Sequence, residues 1–168
     1  MYIDLLEKEK LIYIDKINIK ELKDFCKKAI NKYGNIEKFE KANKVADIVY
    51  QKFEFLNYIN KNAQQQFVDI TIAAALLHNL FYDKNDISTI LVHRTKLKKI
   101  EKDCNLDNRL SNILYELIEC QLGETHPIQK LKPQINSPGY TLAEAVWQVN
   151  NYESRVGMQA LSAGCTGS

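Results

Sequence analysis

Apolar side chains recur at helical spacing along almost the whole chain. Leu22, Phe25, Cys26, Ala29 and Ile30 form one stripe that ends before Gly34, and Asn18 followed by Glu21 fits a capping box ahead of it. A second stripe, Phe39, Ala42, Val45, Ala46, Val49, Phe53 and Leu56, predicts a helix from about Ile36 to Asn57. The third helix is expected over roughly Ala63 to Phe81. It is apolar all round between Ile70 and Leu77, interrupted only by Thr71, and a helix without a wet face belongs at the centre of a bundle. Asp86 and Ser88 offer caps for a fourth helix, Ile87 to about Asp103. A fifth follows Asp107, with Leu110, Ile113, Leu114, Leu117 and Ile118 stacked at helical spacing, and stops near Gly123. The sixth opens with a second capping box, Thr141 and Glu144, and runs through Val146, Val149 and Tyr152 to about Arg155.

Between the last two helices lies the long irregular stretch Thr125 to Gly139, holding Pro127, Pro133 and Pro138. From Val156 to Ser168 the residues turn small and lose any stripe, which reads as a tail. β-Alternation never exceeds a few residues, Leu11 to Ile14 being the best instance, and no internal repeat is visible. The expected fold is therefore all-α: about six helices around a buried central helix. Residues 1–35 form an N-terminal segment and first helix, 36–155 the main helical domain, and 156–168 the tail.

Composition adds limits rather than chemistry. The 168 residues suit one domain with a sizeable core, and 45% apolar with 26% charged residues is a globular balance. No apolar run reaches the roughly 18 residues that cross a bilayer. The first ten residues carry Asp4, Glu7 and Glu9, unlike a signal peptide, so the cytoplasm is the expected compartment. The abundance of Lys, Ile and Asn reads as an AT-rich coding bias of bacterial or phage type. A net charge of +2 is too small to argue for nucleic acid, which is not an expected partner. The four cysteines (Cys26, Cys104, Cys120, Cys165) include no C-x-x-C pair, which speaks against a zinc knuckle or redox dithiol, and Cys26 fits a core position. The fourth helix has a basic polar side, Arg94, Lys96, Lys98, Lys99 and Lys102. A solvated face is its ordinary meaning, and a phosphate-facing stripe the alternative.

Candidate chemistry centres on His78, which delivers an imidazole to the end of the most protected helix, where it needs a hydrogen bond or a ligand. Ala73-Ala74-Ala75-Leu76-Leu77-His78-Asn79-Leu80 resembles the signature helix of the HD phosphohydrolase superfamily, in which adjacent His and Asp bind a divalent metal. The resemblance continues in order. Lys41 stands where the first histidine ligand would be, Asn79 replaces the aspartate, and His93 is similar to a further metal-binding histidine of some branches. Gln121, in Glu119-Cys120-Gln121-Leu122-Gly123, occupies another histidine slot. Asn150 matches a closing aspartate within Val149 to Arg155, whose Ser154-Arg155 ending is also similar. The likeness spans about Lys41 to Arg155.

What the resemblance implies is a bundle whose metals would make hydroxide and polarise a phosphoryl group. Only His78 and His93 keep metal-binding side chains, and Lys41 adds a cation where a metal would sit. Two like unit charges at about 4 Å repel by about 4 kcal/mol at an effective dielectric of about 20. No cofactor is therefore expected, and Mn, Mg, Fe or Zn would be needed only if an HD-type hydrolase survives. The donor-rich set Lys41, His78, Asn79, His93, Arg94, Gln121, Asn150 and Arg155 instead suits a nucleotide or other phosphorylated small molecule, held without hydrolysis by a sensor or sponge. An active metal-dependent phosphohydrolase and a helical interaction scaffold are the alternatives, and a homo-oligomer is a further candidate assembly. His126 is expected to be exposed and Trp147 to be packed, while Asp83 or Asp86 could replace a lost carboxylate.

Overall fold

The computed structural model describes residues 13–55, 62–81, 93–120 and 138–151. A 3-10 turn, Ile14–Lys16, leads into α1 (Lys20–Tyr33), α2 (Ile36–Phe55), α3 (Asn62–Leu77), α4 (Arg94–Asp103) and α5 (Asn108–Cys120). A further helix, α6, covers 138–151. No strand occurs among the described residues, and the fold is an all-α bundle. None of these helices is long and apolar enough to cross a membrane.

The stripes become the core. Leu22, Phe25, Cys26, Ala29 and Ile30 of α1 are buried in one cluster with Val45, Ala46, Val49 and Phe53 of α2, Leu114 and Ile118 of α5, and Leu142, Val146 and Val149 of α6. The centre is α3, whose residues Ile70 to Leu77 are all buried and which packs against α1, α2 and α5. Its three consecutive alanines, Ala73 to Ala75, let neighbouring helices approach closely.

Two polar groups inside this helix are matched. The Thr71 hydroxyl donates to the Phe67 carbonyl one turn back, at 2.6 Å. The buried Asp69 carboxylate accepts the backbone N–H groups of Asn18 (3.0 Å) and Ile19 (2.9 Å) and the side-chain amide of Gln65 (3.1 Å). This overturns the expected capping box at Asn18 and Glu21. Ile19 holds the N-cap position with no side-chain bond, and the orphan N–H groups before α1 are taken by a carboxylate about fifty residues away in sequence.

Other boundaries also move, for local reasons. Gly34 ends α1 as expected. A Cβ there would lie 2.8 Å from the Ile30 carbonyl oxygen, to which the Gly34 N–H donates at 2.9 Å. Asn35 caps α2 by accepting the Lys38 N–H at 2.9 Å. The third helix stops at Leu77 rather than near Phe81, and His78 to Phe81 form a turn. α4 ends in a Schellman arrangement, with Asn105 left-handed (φ 55°) and the Leu106 N–H donating to the Glu101 carbonyl. α6 is already helical at Pro138, so Thr141 and Glu144 lie inside the helix and do not form the expected capping box at its start. The expected fourth helix does not run unbroken from Ile87, because His93 is a non-helical N-cap and α4 begins at Arg94, and Pro138 and Gly139, expected to be irregular, are helical. Other expectations lie outside the described residues: the end of the second helix near Asn57, the end of the fifth near Gly123, the irregular stretch through Ser137, the sixth helix beyond Asn151, and the tail.

Candidate functional site

The turn after α3 carries the polar groups that the sequence singles out. The His78 ring is buried, and its Nδ1 lies 2.7 Å from the Ala75 carbonyl. A carbonyl can only accept, so the neutral ring keeps its proton on Nδ1 and leaves the Nε2 lone pair unprotonated. Burial pushes the imidazole's pKa down from its ordinary 6.5 to about 4. The Ala75 bond opposes this shift, and the positive charge of Lys41 lowers the value further. Asn79, also buried, donates its amide to the Lys38 carbonyl at 2.9 Å, and the Lys38 ammonium donates to the Leu80 carbonyl at 3.1 Å. Two lysines one helical turn apart on α2, Lys38 and Lys41, thus flank the His78–Leu80 turn. The structure brings Lys41, His78 and Asn79 together.

Arg94 and His93 engage other groups. Arg94, first residue of α4, turns toward α5. Its Nη2 donates to Asn108 Oδ1 and Ser111 Oγ at 3.2 Å each and lies 3.9 Å from Glu101 Oε1. The guanidinium also covers the Tyr115 ring at 4.7 Å, and the Tyr115 hydroxyl donates to Glu101 Oε2 at 2.9 Å. Burial, with the Glu101 charge beside it, pushes the Tyr115 pKa up. His93 sits at the N-cap position of α4 and stacks on Phe81, with ring centroids 4.5 Å apart. Asn150 is an exposed residue of α6. Trp147 is half-buried on the same helix. Gln121, Arg155, His126, Asp83 and Asp86 lie outside the described residues.

A divalent metal does not fit the groups assembled at this turn. His78 Nε2 and the Asn79 amide oxygen are the two neutral lone-pair donors that the bonds to Ala75 and Lys38 leave at the turn, and Lys41 supplies a charge of the wrong sign. Among the described residues no group of three or more His, Cys, Asp or Glu could hold a metal ion. What the turn can offer is an ammonium donor and an imidazole that accepts at Nε2, or donates there once an anion raises its proton affinity.

Sequence reasoning overlooked Lys38, Asp69, and the packing of Tyr33, His93 and Lys96 around Phe81. The first two left a signal. Lys38 stands one turn before Lys41, and Asp69 is the sole carboxylate between Ala63 and Leu80, on a helix read as buried. No protein-family model matches the chain, and no curated protein and no solved structure matches it either. The likeness to the HD superfamily therefore stands on the residues quoted above.

Proposed function

We propose that this chain is a catalytically degenerate HD-type protein that binds a nucleotide or other phosphorylated ligand through Lys41 and His78 without hydrolysing it, as a sensor or sponge. The observation that carries this reading is a buried imidazole, bonded at Nδ1 to the Ala75 carbonyl, on which the positive charge of Lys41 acts. The charge of Lys41 disfavours the positive form of the imidazole, and an anion arriving between them offsets that repulsion. Phosphate oxygens accept from Lys41, and their charge draws a proton onto His78 Nε2, so binding strengthens as pH falls toward 5. Asn79 and Lys38 hold the turn that presents the ring.

Calorimetric titration with mono-, di- and cyclic nucleotides and with sugar phosphates tests the reading. At least one of these is expected to bind without turnover, and Lys41→Ala should weaken it by about tenfold or more, the scale of a lost charge-assisted hydrogen bond. Stoichiometric Mn, Mg, Fe or Zn in purified protein, or hydrolysis of the ligand, would contradict it.

A further inference from the structure

Away from the Lys41–His78 pair, rings and ammonium groups interleave on the described surface. Tyr33 at the end of α1 packs on Phe81 with centroids 5.2 Å apart, and Phe81 stacks on His93 with an interplanar angle of 18°. The Lys32 ammonium lies 5.4 Å from the Tyr33 centroid, and that of Lys96 lies 6.0 Å from the centroid of Phe81. The Tyr33 hydroxyl donates to the Lys96 carbonyl at 3.2 Å, fixing the end of α1 against the first turn of α4. All three rings are half-buried and both lysines are exposed.

The basic character continues along the seam. Lys28, one turn back on α1, and Lys99, one turn on along α4, are exposed as well. Lys28 acts on the thiol of Cys104 at the far end of α4, so the two helices run antiparallel there, with lysines on both sides. Asp24 and Asp103 also act on Cys104 and close that far end. Locally, then, the surface is basic and aromatic, although the chain as a whole carries only +2.

Half-exposed rings and ammonium groups in one patch ask for a partner that has both flat faces and negative charge. An acidic peptide would use the lysines and leave the rings unused. A duplex keeps its bases stacked within itself. A single strand offers phosphates to the lysines and unpaired bases to the rings, each base stacked on an aromatic side chain contributing about 1–3 kcal/mol by alanine substitution. We propose that the α1–α4 seam binds single-stranded nucleic acid, with bases stacking at Tyr33, Phe81 and His93 and backbone phosphates pairing with Lys32 and Lys96. This inference does not rest on the Lys41–His78 reading.

Fluorescence anisotropy with a labelled oligothymidylate of roughly 12 nucleotides, long enough to span such a site, is the test. Saturable binding is expected that weakens steeply between about 50 and 200 mM salt. The pair Lys32→Ala and Lys96→Ala should weaken it by about tenfold or more, whereas Lys98→Ala, on the opposite flank of α4, should change it less than about twofold. Tyr33→Leu, which keeps an apolar body but removes the ring, should weaken binding severalfold, with circular dichroism checking that the fold is intact. No binding at low salt would overturn the proposal. So would equal affinity for a poly-aspartate peptide or for the duplex, or a Tyr33→Leu protein that is folded and binds as well as the parent.

Discussion

At the α4–α5 seam the guanidinium of Arg94 meets a carboxylate, an amide, a hydroxyl and the face of a ring. At the end of α3 the ammonium of Lys41 lies near a neutral imidazole, and among the described residues no carboxylate pairs with it. Both regions hold a cation at the edge of the core, but only the first supplies the counter-charge. A cation with its anion in place joins two helices and has little left to offer a ligand. A cation set beside a base that must stay neutral is a site where an incoming anion gains on both partners. The contrast separates two residues that sequence reasoning had grouped together, since Arg94 is engaged in packing and Lys41 is the charge for which a ligand is proposed.

The comparison breaks most visibly at the structural end. Tyr115→Ala removes a fully buried ring and strands Glu101 and Arg94, and should cost about 4 kcal/mol in urea unfolding. Tyr115→Phe, which loses only the bond to Glu101, should cost about 1–2 kcal/mol. If the two variants cost the same, the hydroxyl network rather than the ring carries the seam.

The next effect is pH-dependent and belongs to His78. The unfolded ring takes its proton near 6.5 and the folded ring only near 4, so between these values the unfolded chain binds more protons. Stability is therefore fully present above pH 6.5 and is lost as pH falls through that window, by about 3 kcal/mol for this one group. Melting temperatures of the parent and His78→Gln across pH 4–7 should converge toward the acid end. Parallel curves would show that the imidazole is not protected from protonation.

Gly34→Ala sharpens the picture of how α2 is delivered to the site. A methyl 2.8 Å from the Ile30 carbonyl forces the α1–α2 turn open, for about 1 kcal/mol in chemical unfolding. The smallest stability effect is expected for Lys41→Ala, within about 0.5 kcal/mol, because no carboxylate among the described residues pairs with it. A large loss there would make Lys41 another structural cation like Arg94.

The helices and their buried faces were legible in the sequence because the 3.6-residue period is a local property. The stripe from Leu22 to Ile30 and the fully apolar run before His78 both say which side is dry without saying what covers it. Partners across the chain were not legible. Asn18 resembles a cap but is held by Asp69, and Arg94 resembles a pocket cation but reaches across to Glu101 and Tyr115. Start signals also mislead, and Thr141 resembles a cap but lies within a helix already formed at Pro138. At the turn after α3 the charge of Lys41 acts on His78, which Asn79 follows in the chain. His93 reads differently once its ring is seen against Phe81, a contact formed between two separate turns.

The account depends on Lys41 and His78 sensing one another, and an NMR titration of the His78 ring measures that directly. In the parent protein the ring should titrate near pH 4 with the proton of its neutral form on Nδ1, and its pKa should rise both in Lys41→Ala and on saturation with a phosphorylated ligand. A ring that titrates near 6.5 and responds to neither change would contradict the account.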